Sequence, residues 1–321
     1  LRRQRQMCIR DSYYLESRGY RPEEIFRIGK TLKNKAKRYC TVENSIYENR
    51  KSAGNIIDRE AGILNRGNLT RLKNFLNRAA KGERLTVGFI GGSITQGFAA
   101  TEPGKCYAAR TVAWLRKIFP NTEFDYLNAG IGATNSQFGA ARVQEDLLCR
   151  LPDLVMVEFS VNDHSTPHDM ETYEGLVRQI YGSSSQPAMV LLHSVYYDTG
   201  KSAAYYHAQI GRHYDLPCIS MQNSIYPAVA AGKLPAEKIT ADFLHPNDLG
   251  HEFMASVITN FLEKVIHDKT EEQQEIFPAP LTENAYEHCV RLQYFNSTPG
   301  KSGFEEDMTP QRDITDIFRN G

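Results

Sequence analysis

Two kinds of apolar pattern alternate along the middle of the chain, and they predict strands and helices in turn. Short runs rich in apolar residues predict five strands, at 85–90, 123–128, 153–159, 188–195 and 216–221. Apolar residues at helical spacing lie between them, at 106–119, at 139–151 and in stretches that end near Tyr181, Tyr214 and Ile266. Strands alternating with helices predict an α/β domain with a parallel sheet and right-handed crossovers.

Polar and glycine-rich turns follow the first three predicted strands. The segment 87-VGFIGGSITQGF-98 runs from a buried strand into two glycines and Ser93, Gly130 follows the second strand, and Asn162 follows the third. Ligands of open α/β sheets bind beyond the carboxyl ends of the strands, so we expect these three turns to form the functional site.

Phosphate binding is one interpretation of the glycines, and the chemistry argues against it. Gly92 and Gly97 have the spacing of a phosphate-binding loop, but Phe98 occupies the position of the lysine that would neutralise the phosphate. The segment 130–135 begins Gly-Ile-Gly but lacks the third glycine of a dinucleotide-binding turn. Ser93 as an exposed nucleophile is the stronger hypothesis, and a purely structural turn is the remaining alternative.

A serine nucleophile needs a base that takes its proton and a third group that orients the base. Asp242 and His245 lie three residues apart in 242-DFLHPNDLGH-251, before the last predicted helix, where the carboxylate can reach the imidazole. The alternative is that Asp242 caps a turn and His245 is a surface histidine.

Four short motifs, GGSIT, NAGIG, SVND and DFLHP, occur in an order and spacing that resembles the SGNH (GDSL) hydrolases over residues 85–266. The resemblance implies a flavodoxin-like three-layer fold with a five-stranded parallel sheet. It also implies Ser93, Asp242 and His245 as the catalytic triad. Ser93, Gly130 and Asn162 would bind the oxyanion, and no cofactor or metal would be required.

Two positions depart from the family pattern. Gly92 replaces the aspartate of the usual Gly-Asp-Ser-Leu, and Ser160 replaces the glycine before the Asn-Asp pair. The sequence is most similar to bacterial carbohydrate esterases, so we expect an esterase that removes acetyl groups from plant-type polysaccharides or oligosaccharides. The alternatives are a lysophospholipase or thioesterase, a sugar O-acetyltransferase, and a catalytically silent carbohydrate-binding module.

Five aromatic residues flank the expected site and are candidates for stacking on sugar rings: Phe98, Tyr107, Tyr196, Tyr197 and Phe243. His164 and His168 lie near Asp163 and Asp169, which would suit a metal, but a polar active-site loop is the preferred interpretation of these residues. Glu158 and His193, in buried strands, are expected to be structural.

Composition narrows the function further. Lysine plus arginine and aspartate plus glutamate number 38 each, so no basic excess indicates nucleic-acid binding. No apolar run is long enough for a membrane span. The chain begins with a basic segment that has no apolar core of a signal peptide, so we expect a cytoplasmic protein, with secretion as the alternative because the native start is doubtful. The cysteines lack metal-ligand spacing and are expected to be buried thiols, with disulfides as the alternative.

The pattern predicts four segments. Residues 1–12 resemble a non-native leader, 13–84 form an N-terminal extension with a helix over 68–82, and 85–267 form the hydrolase domain. Residues 268–321 read as a linker and the beginning of a second, β-rich domain.

Overall fold

The structure is a computed structural model that describes residues 56–271, 273–292, 300 and 302. Its strands form one sheet in the order β1-β6-β5-β4-β2-β3. Their bounds are β1 Ile63–Asn65, β2 Leu85–Gly91, β3 Phe124–Gly130, β4 Leu154–Glu158, β5 Ala188–His193 and β6 Cys218–Ser220.

The five predicted strands are β2 to β6, and every pair among them that is hydrogen-bonded runs parallel. The first of them lies between the second and the third, which is the flavodoxin-like order, and the α/β prediction is therefore confirmed. The sheet also has a sixth strand that the sequence pattern did not indicate. β1 pairs antiparallel with β6 at the sheet edge, so the described sheet is mixed rather than purely parallel.

Nine α-helices lie in the described part of the chain. They are α1 Thr70–Ala80, α2 Ser93–Gln96, α3 Tyr107–Ile118, α4 Ser136–Asp146, α5 Pro167–Tyr181, α6 Ala204–His213, α7 Met221–Ser224, α8 Tyr226–Ala230 and α9 Asp248–Ile266. The helices predicted at 106–119 and 68–82 are α3 and α1, each slightly shorter than expected.

Helices cover both faces of the sheet. On one face, α4, α5 and α6 pack on alternate strand residues such as Ile90, Val155 and Leu191. On the other face, the Phe89 ring of β2 meets the Tyr107 ring of α3 edge to face, with the centroids 5.9 Å apart. Because both faces are buried, β4 and β5 contain only buried residues, as expected for central parallel strands.

The sheet register places three functional turns side by side. Gly91 at the end of β2 is paired with Gly130 of β3 on one side and with Glu158 of β4 on the other. The segments that follow these residues therefore leave the sheet at the same edge. β3 lies on one side of β2, whereas β4, β5 and β6 lie on the other, so the order of the strands reverses at β2. Open α/β sheets bind ligands at such a point.

Residues 273–292 contain no strand and pack against the α4–α6 face. Glu174 of α5 accepts hydrogen bonds from the N–H groups of Leu281 and Thr282, and Arg178 pairs with Glu287 at 2.7 Å. The β-rich C-terminal domain stays a prediction because most of it, like the expected leader at 1–12 and the segment 13–55, falls outside the described residues.

The cysteines correct one expectation. Cys106 and Cys218 are buried free thiols, but Cys149 is exposed and Cys289 is half-buried. The Cys149 side chain faces solvent because it lies in the short turn Leu148–Arg150 after α4, outside the covered face of that helix. Among the residues described, no helix has the length and apolar character needed to span a bilayer.

Glu158 is fully buried at the end of β4, where its Oε1 accepts hydrogen bonds from the N–H and hydroxyl of Ser160. Burial raises the pKa of Glu158 to about 7, and the bonds from Ser160 lower it less. Between pH 4.5 and 7 the folded protein thus retains a proton that the unfolded chain releases, so this residue contributes less stability as the pH rises.

We therefore expect Glu158→Gln, which keeps an acceptor for Ser160 and never ionises, to gain stability relative to the wild type as the pH rises from 4.5 to 8. The gain should approach about 3 kcal/mol, and urea unfolding at each pH measures it. A free-energy difference that stays constant over this range would contradict the raised pKa.

Candidate active site

Ser93 begins the short helix α2 directly after the Gly91-Gly92 turn. Gly97 ends this helix with a φ of 96°, a left-handed conformation that favours glycine. The Ser93 side chain lies at the carboxyl edge of the sheet, and its Oγ is 2.8 Å from Nε2 of His245. The serine is 9% exposed, so it is accessible only from the site itself.

His245 and Asp242 are brought together by a tight turn that precedes α9. Nδ1 of His245 is 2.6 Å from Oδ2 of Asp242, and Oδ1 of the same carboxylate accepts the N–H groups of Leu244 and His245. Partial burial raises the pKa of Asp242, but the bonds from the His245 ring and from these N–H groups outweigh it. The pKa therefore lies well below the usual aspartate range.

An ionised Asp242 fixes the protonation of the imidazole. The carboxylate only accepts hydrogen bonds, so Nδ1 of His245 carries the proton and Nε2 presents a lone pair to the Ser93 hydroxyl. This chain of contacts is the arrangement that activates a serine for attack on a carbonyl. The structure thus brings together all three residues of the expected triad.

Asn162 reaches the same place from the turn after β4. A side chain on Gly92 would clash with it, because a Cβ built there lies 2.1 Å from Oδ1 of Asn162. The φ of Gly92 is −87°, so the need for glycine comes from this close approach and not from an unusual backbone conformation. The second glycine of the turn therefore makes room for the Asn162 amide beside Ser93.

We expect Gly92→Ala to push the Asn162 amide away from Ser93. Loss of a fixed hydrogen-bond donor to a developing oxyanion costs roughly 10²–10³ in kcat, and we expect a loss in that range with little change in KM. Gly104→Ala is a matched control because a Cβ at Gly104 meets nothing within 4 Å. Steady-state kinetics on p-nitrophenyl acetate measures both; equal activity of the two variants would contradict the role of the close approach.

Gly130 does not offer a free donor. Its N–H donates to Oδ1 of Asn128 at 2.9 Å, so the expected contribution to the oxyanion site is not supported by the geometry. Gly132, two residues later, lies beside the nucleophile candidate, because a Cβ built on it would be 3.8 Å from Cβ of Ser93. Ala133 lines a cleft together with Asn162, and its N–H has no acceptor among the residues that the structure describes.

Ala133 also has a φ of 59°, which is uncommon for a residue with a side chain. Strained backbone of this kind persists where the surroundings impose it, often at functional sites. Sequence patterns carry no signal for an alanine in this conformation, which is why the prediction settled on the glycine nearby.

The five aromatic candidates separate into two groups. Phe98 and Phe243 are about half exposed, and the Phe98 ring lies 4.5 Å from the His245 ring. Tyr107 and Tyr197 are buried, and the Tyr107 hydroxyl bonds to Oγ1 of Thr95, so these two rings cannot touch a substrate. Tyr196 is half-buried and donates its hydroxyl to the carbonyl of Val161, which gives it a structural role.

His168, Asp163 and Asp169 of the Asn162 loop each contact a different partner. His168 contacts Oε1 of Gln137 at 3.2 Å, while Asp163 contacts His207 at 2.9 Å. Asp169 accepts a hydrogen bond from Thr166 at the start of α5. Within the described residues no group of three or more His, Cys, Asp or Glu side chains could hold a metal ion.

A family model described as the GDSL-like Lipase/Acylhydrolase family matches residues 89–253, just over half of the chain. The chain belongs to this family. Ser93, Asp242, His245 and Asn162 all lie within the range that matches the GDSL-like family. A search of curated proteins finds no match.

Two solved structures of a single esterase resemble this GDSL-like chain over most of its length. A two-domain esterase (CEX) active on acetylated mannans is 52% identical, with a TM-score of 0.79; the match covers 83% of this chain and 72% of that one. The same esterase co-crystallised with mannopentaose is also 52% identical, with a TM-score of 0.77 and coverage of 83% and 71%.

Proposed function

We propose that this protein is a serine esterase that hydrolyses acetyl esters on polysaccharides or oligosaccharides, and that acetylated mannans are among its substrates. The hydrogen-bonded chain Ser93–His245–Asp242 carries the reaction type. The 52% identity to an esterase active on acetylated mannans supports the choice of sugar.

The reaction begins when Oγ of Ser93 attacks the acetyl carbonyl carbon and Nε2 of His245 takes the hydroxyl proton. Asp242 stabilises the imidazolium that forms. The bond between the carbonyl carbon and the sugar oxygen then breaks, the electron pair stays on that oxygen, and His245 returns the proton to it. Water repeats the sequence on the acetyl-serine, which releases acetate and regenerates Ser93.

Three donors surround the position of the carbonyl oxygen in this proposal: the N–H groups of Ser93 and Ala133 and the side-chain amide of Asn162. Ser93 is the first residue of α2, so its N–H has no acceptor within the helix. The carbonyl oxygen gains a full negative charge in the tetrahedral intermediate, so fixed donors stabilise that state more than the bound ester.

Acetate release from a panel of acetylated mannan, xylan and xyloglucan fragments tests the proposal. We expect mass spectrometry to show that the mannan fragments lose acetyl groups. The same reactions with an added acetyl-free sugar distinguish hydrolysis from acetyl transfer. Acetylation of the added sugar would indicate an acetyltransferase, and release from none of the fragments would overturn the substrate assignment.

Phe98 and Phe243 are the aromatic rings that a sugar bound near His245 could meet. We expect Phe98→Ala and Phe243→Ala each to raise KM for acetylated manno-oligosaccharides about tenfold, since burying a phenylalanine ring contributes about 1.5–3 kcal/mol. The kcat on p-nitrophenyl acetate should change far less, because that ester has no sugar chain to stack.

Ile118→Ala is the control. Ile118 is an exposed apolar residue at the C-terminal end of α3, and the opposite end of this helix, at Tyr107, is the one near the site. Equal KM values for Ile118→Ala and the two phenylalanine variants on the oligosaccharide would show that the rings do not bind the sugar.

A further inference from the structure

The Asp163 side chain is a buried charge that the triad does not use. Its residue is 6% exposed, and its two carboxylate oxygens each have a partner. Oδ1 accepts the N–H of Ser136 at 2.8 Å, and Oδ2 is 2.9 Å from Nε2 of His207. Burying a carboxylate is costly unless it is paired and hydrogen-bonded, so these two contacts are what holds the charge in place.

Asp163 and its partner Ser136 belong to different loops of the site. Asp163 directly follows Asn162 in the turn after β4, whereas Ser136 is the first residue of α4, three positions after Ala133. A carboxylate at the beginning of a helix also interacts favourably with the helix dipole. The Asp163 carboxylate therefore joins the loop that carries the Asn162 amide to the loop that carries the Ala133 N–H.

His207 fixes the carboxylate from a third direction. It is fully buried on α6, and its ring stacks on Tyr173 of α5, with the centroids 3.6 Å apart and the planes 3° apart. The start of α6 is tied to the same turn, because the N–H of Ala203 donates to the carbonyl of Ser160 at 2.7 Å. The ring is thus held firmly enough to orient Asp163.

We propose that Asp163, oriented by His207, is a positioning residue that sets the separation of the two oxyanion donors at Asn162 and Ala133. The inference rests on the proposed function, because it requires Asn162 to stabilise the oxyanion. Asp163 does not touch the substrate. It acts by holding two loops whose donors must both reach one oxygen atom, and small displacements of such groups reduce the rate strongly.

Asp163→Asn, combined with Asn162→Ala in a double-mutant cycle, tests the proposal. The amide keeps the shape of the carboxylate but places an N–H₂ group against one of two donors. We expect kcat on p-nitrophenyl acetate to fall about 10²-fold in the wild-type background, with KM within about threefold. In the Asn162→Ala background, where the amide is already absent, the same change should cost less than about tenfold.

Two further variants test the role of the His207 ring. Tyr173→Phe removes a buried hydroxyl that has no partner among the described residues but keeps the stacked ring, and should leave kcat within about twofold. His207→Gln retains a donor for Asp163 on a more flexible side chain and should lose about tenfold in kcat, again only while Asn162 is present. If Asp163→Asn does not fold, His207→Gln takes its place in the cycle.

The outcomes separate the two proposals. Equal losses in both backgrounds, or an effect on KM alone, would overturn the positioning role of Asp163 while Asn162→Ala still shows its own loss. Full activity of Asn162→Ala and Ser93→Ala would instead contradict the proposed function itself.

Discussion

Replacement of Ser93 by alanine should reduce kcat for acetyl esters by about 10⁴ or more, since removal of the nucleophile abolishes the covalent route. The residual rate would come from the oxyanion donors, which can still polarise a bound ester towards water. Substrate binding should persist, because Oγ of Ser93 contacts His245 in the free protein and supplies no surface for the sugar. Acetate release from acetylated mannan measures kcat, and the KM from steady-state kinetics reports substrate binding.

Ser165→Ala provides the matched control for this substitution. Ser165 lies in the loop after Asn162 and its hydroxyl bonds only to the carbonyl of Ser202 among the described residues, so kcat should stay close to the wild-type value. A serine-reactive phosphonate should add one adduct to the wild type and to Ser165→Ala and none to Ser93→Ala. Labelling of Ser93→Ala at the wild-type rate would show that another residue is the nucleophile.

Asp242→Asn has the second largest expected effect, a fall of about 10⁴ in kcat with the fold retained. An amide in this position can donate its N–H to Nδ1 of His245, which moves the ring proton to Nε2. The imidazole would then donate a hydrogen bond to Ser93 instead of accepting its proton. Kinetics on p-nitrophenyl acetate, with circular dichroism to confirm folding, measures the effect.

Asp248→Asn is the control for that change, since it makes the same substitution three residues after His245. Asp248 accepts hydrogen bonds from the N–H and hydroxyl of Thr101 and pairs with Lys105 at 3.1 Å, so its charge supports a neighbouring loop. We expect kcat to remain within about threefold of the wild type. Similar losses in the two variants would indicate a general effect of surface charge rather than a fixed histidine tautomer.

Much of the fold followed from local patterns. The strands β2 to β6 are short runs rich in apolar residues, whereas the helices between them have apolar residues three or four positions apart. Strands and helices differ in this spacing, so the sequence distinguishes them. β1 was missed because it has three residues and only partly buried side chains, and its pairing with β6 joins segments more than 150 residues apart. A pairing that is so distant in sequence leaves no local pattern.

The candidate site divides in a similar way. Ser93, Asp242 and His245 are recognisable because each lies in a short motif whose residue types the reaction requires. Gly130 ends β3 and Ala133 lies three residues later, and the partners of their N–H groups distinguish them: that of Gly130 donates to Asn128, whereas that of Ala133 has no acceptor among the described residues. Tyr107 and Tyr197 were expected beside the substrate, yet the helix and the loop that carry them turn both rings into the core.

The amino-acid sequence by itself determined the order of β2 to β6 and of the main helices between them, the three residues Ser93, Asp242 and His245, and the edge of the sheet where they meet. These properties depend on residues close together in the chain or on motifs with fixed chemistry. Only the tertiary structure decided that the Gly130 N–H is occupied by Asn128, which rings reach solvent, and that the Asp163 carboxylate contacts both Ser136 and His207. These depend on atoms placed within a few ångströms by packing between distant segments, for which a sequence pattern contains no distance.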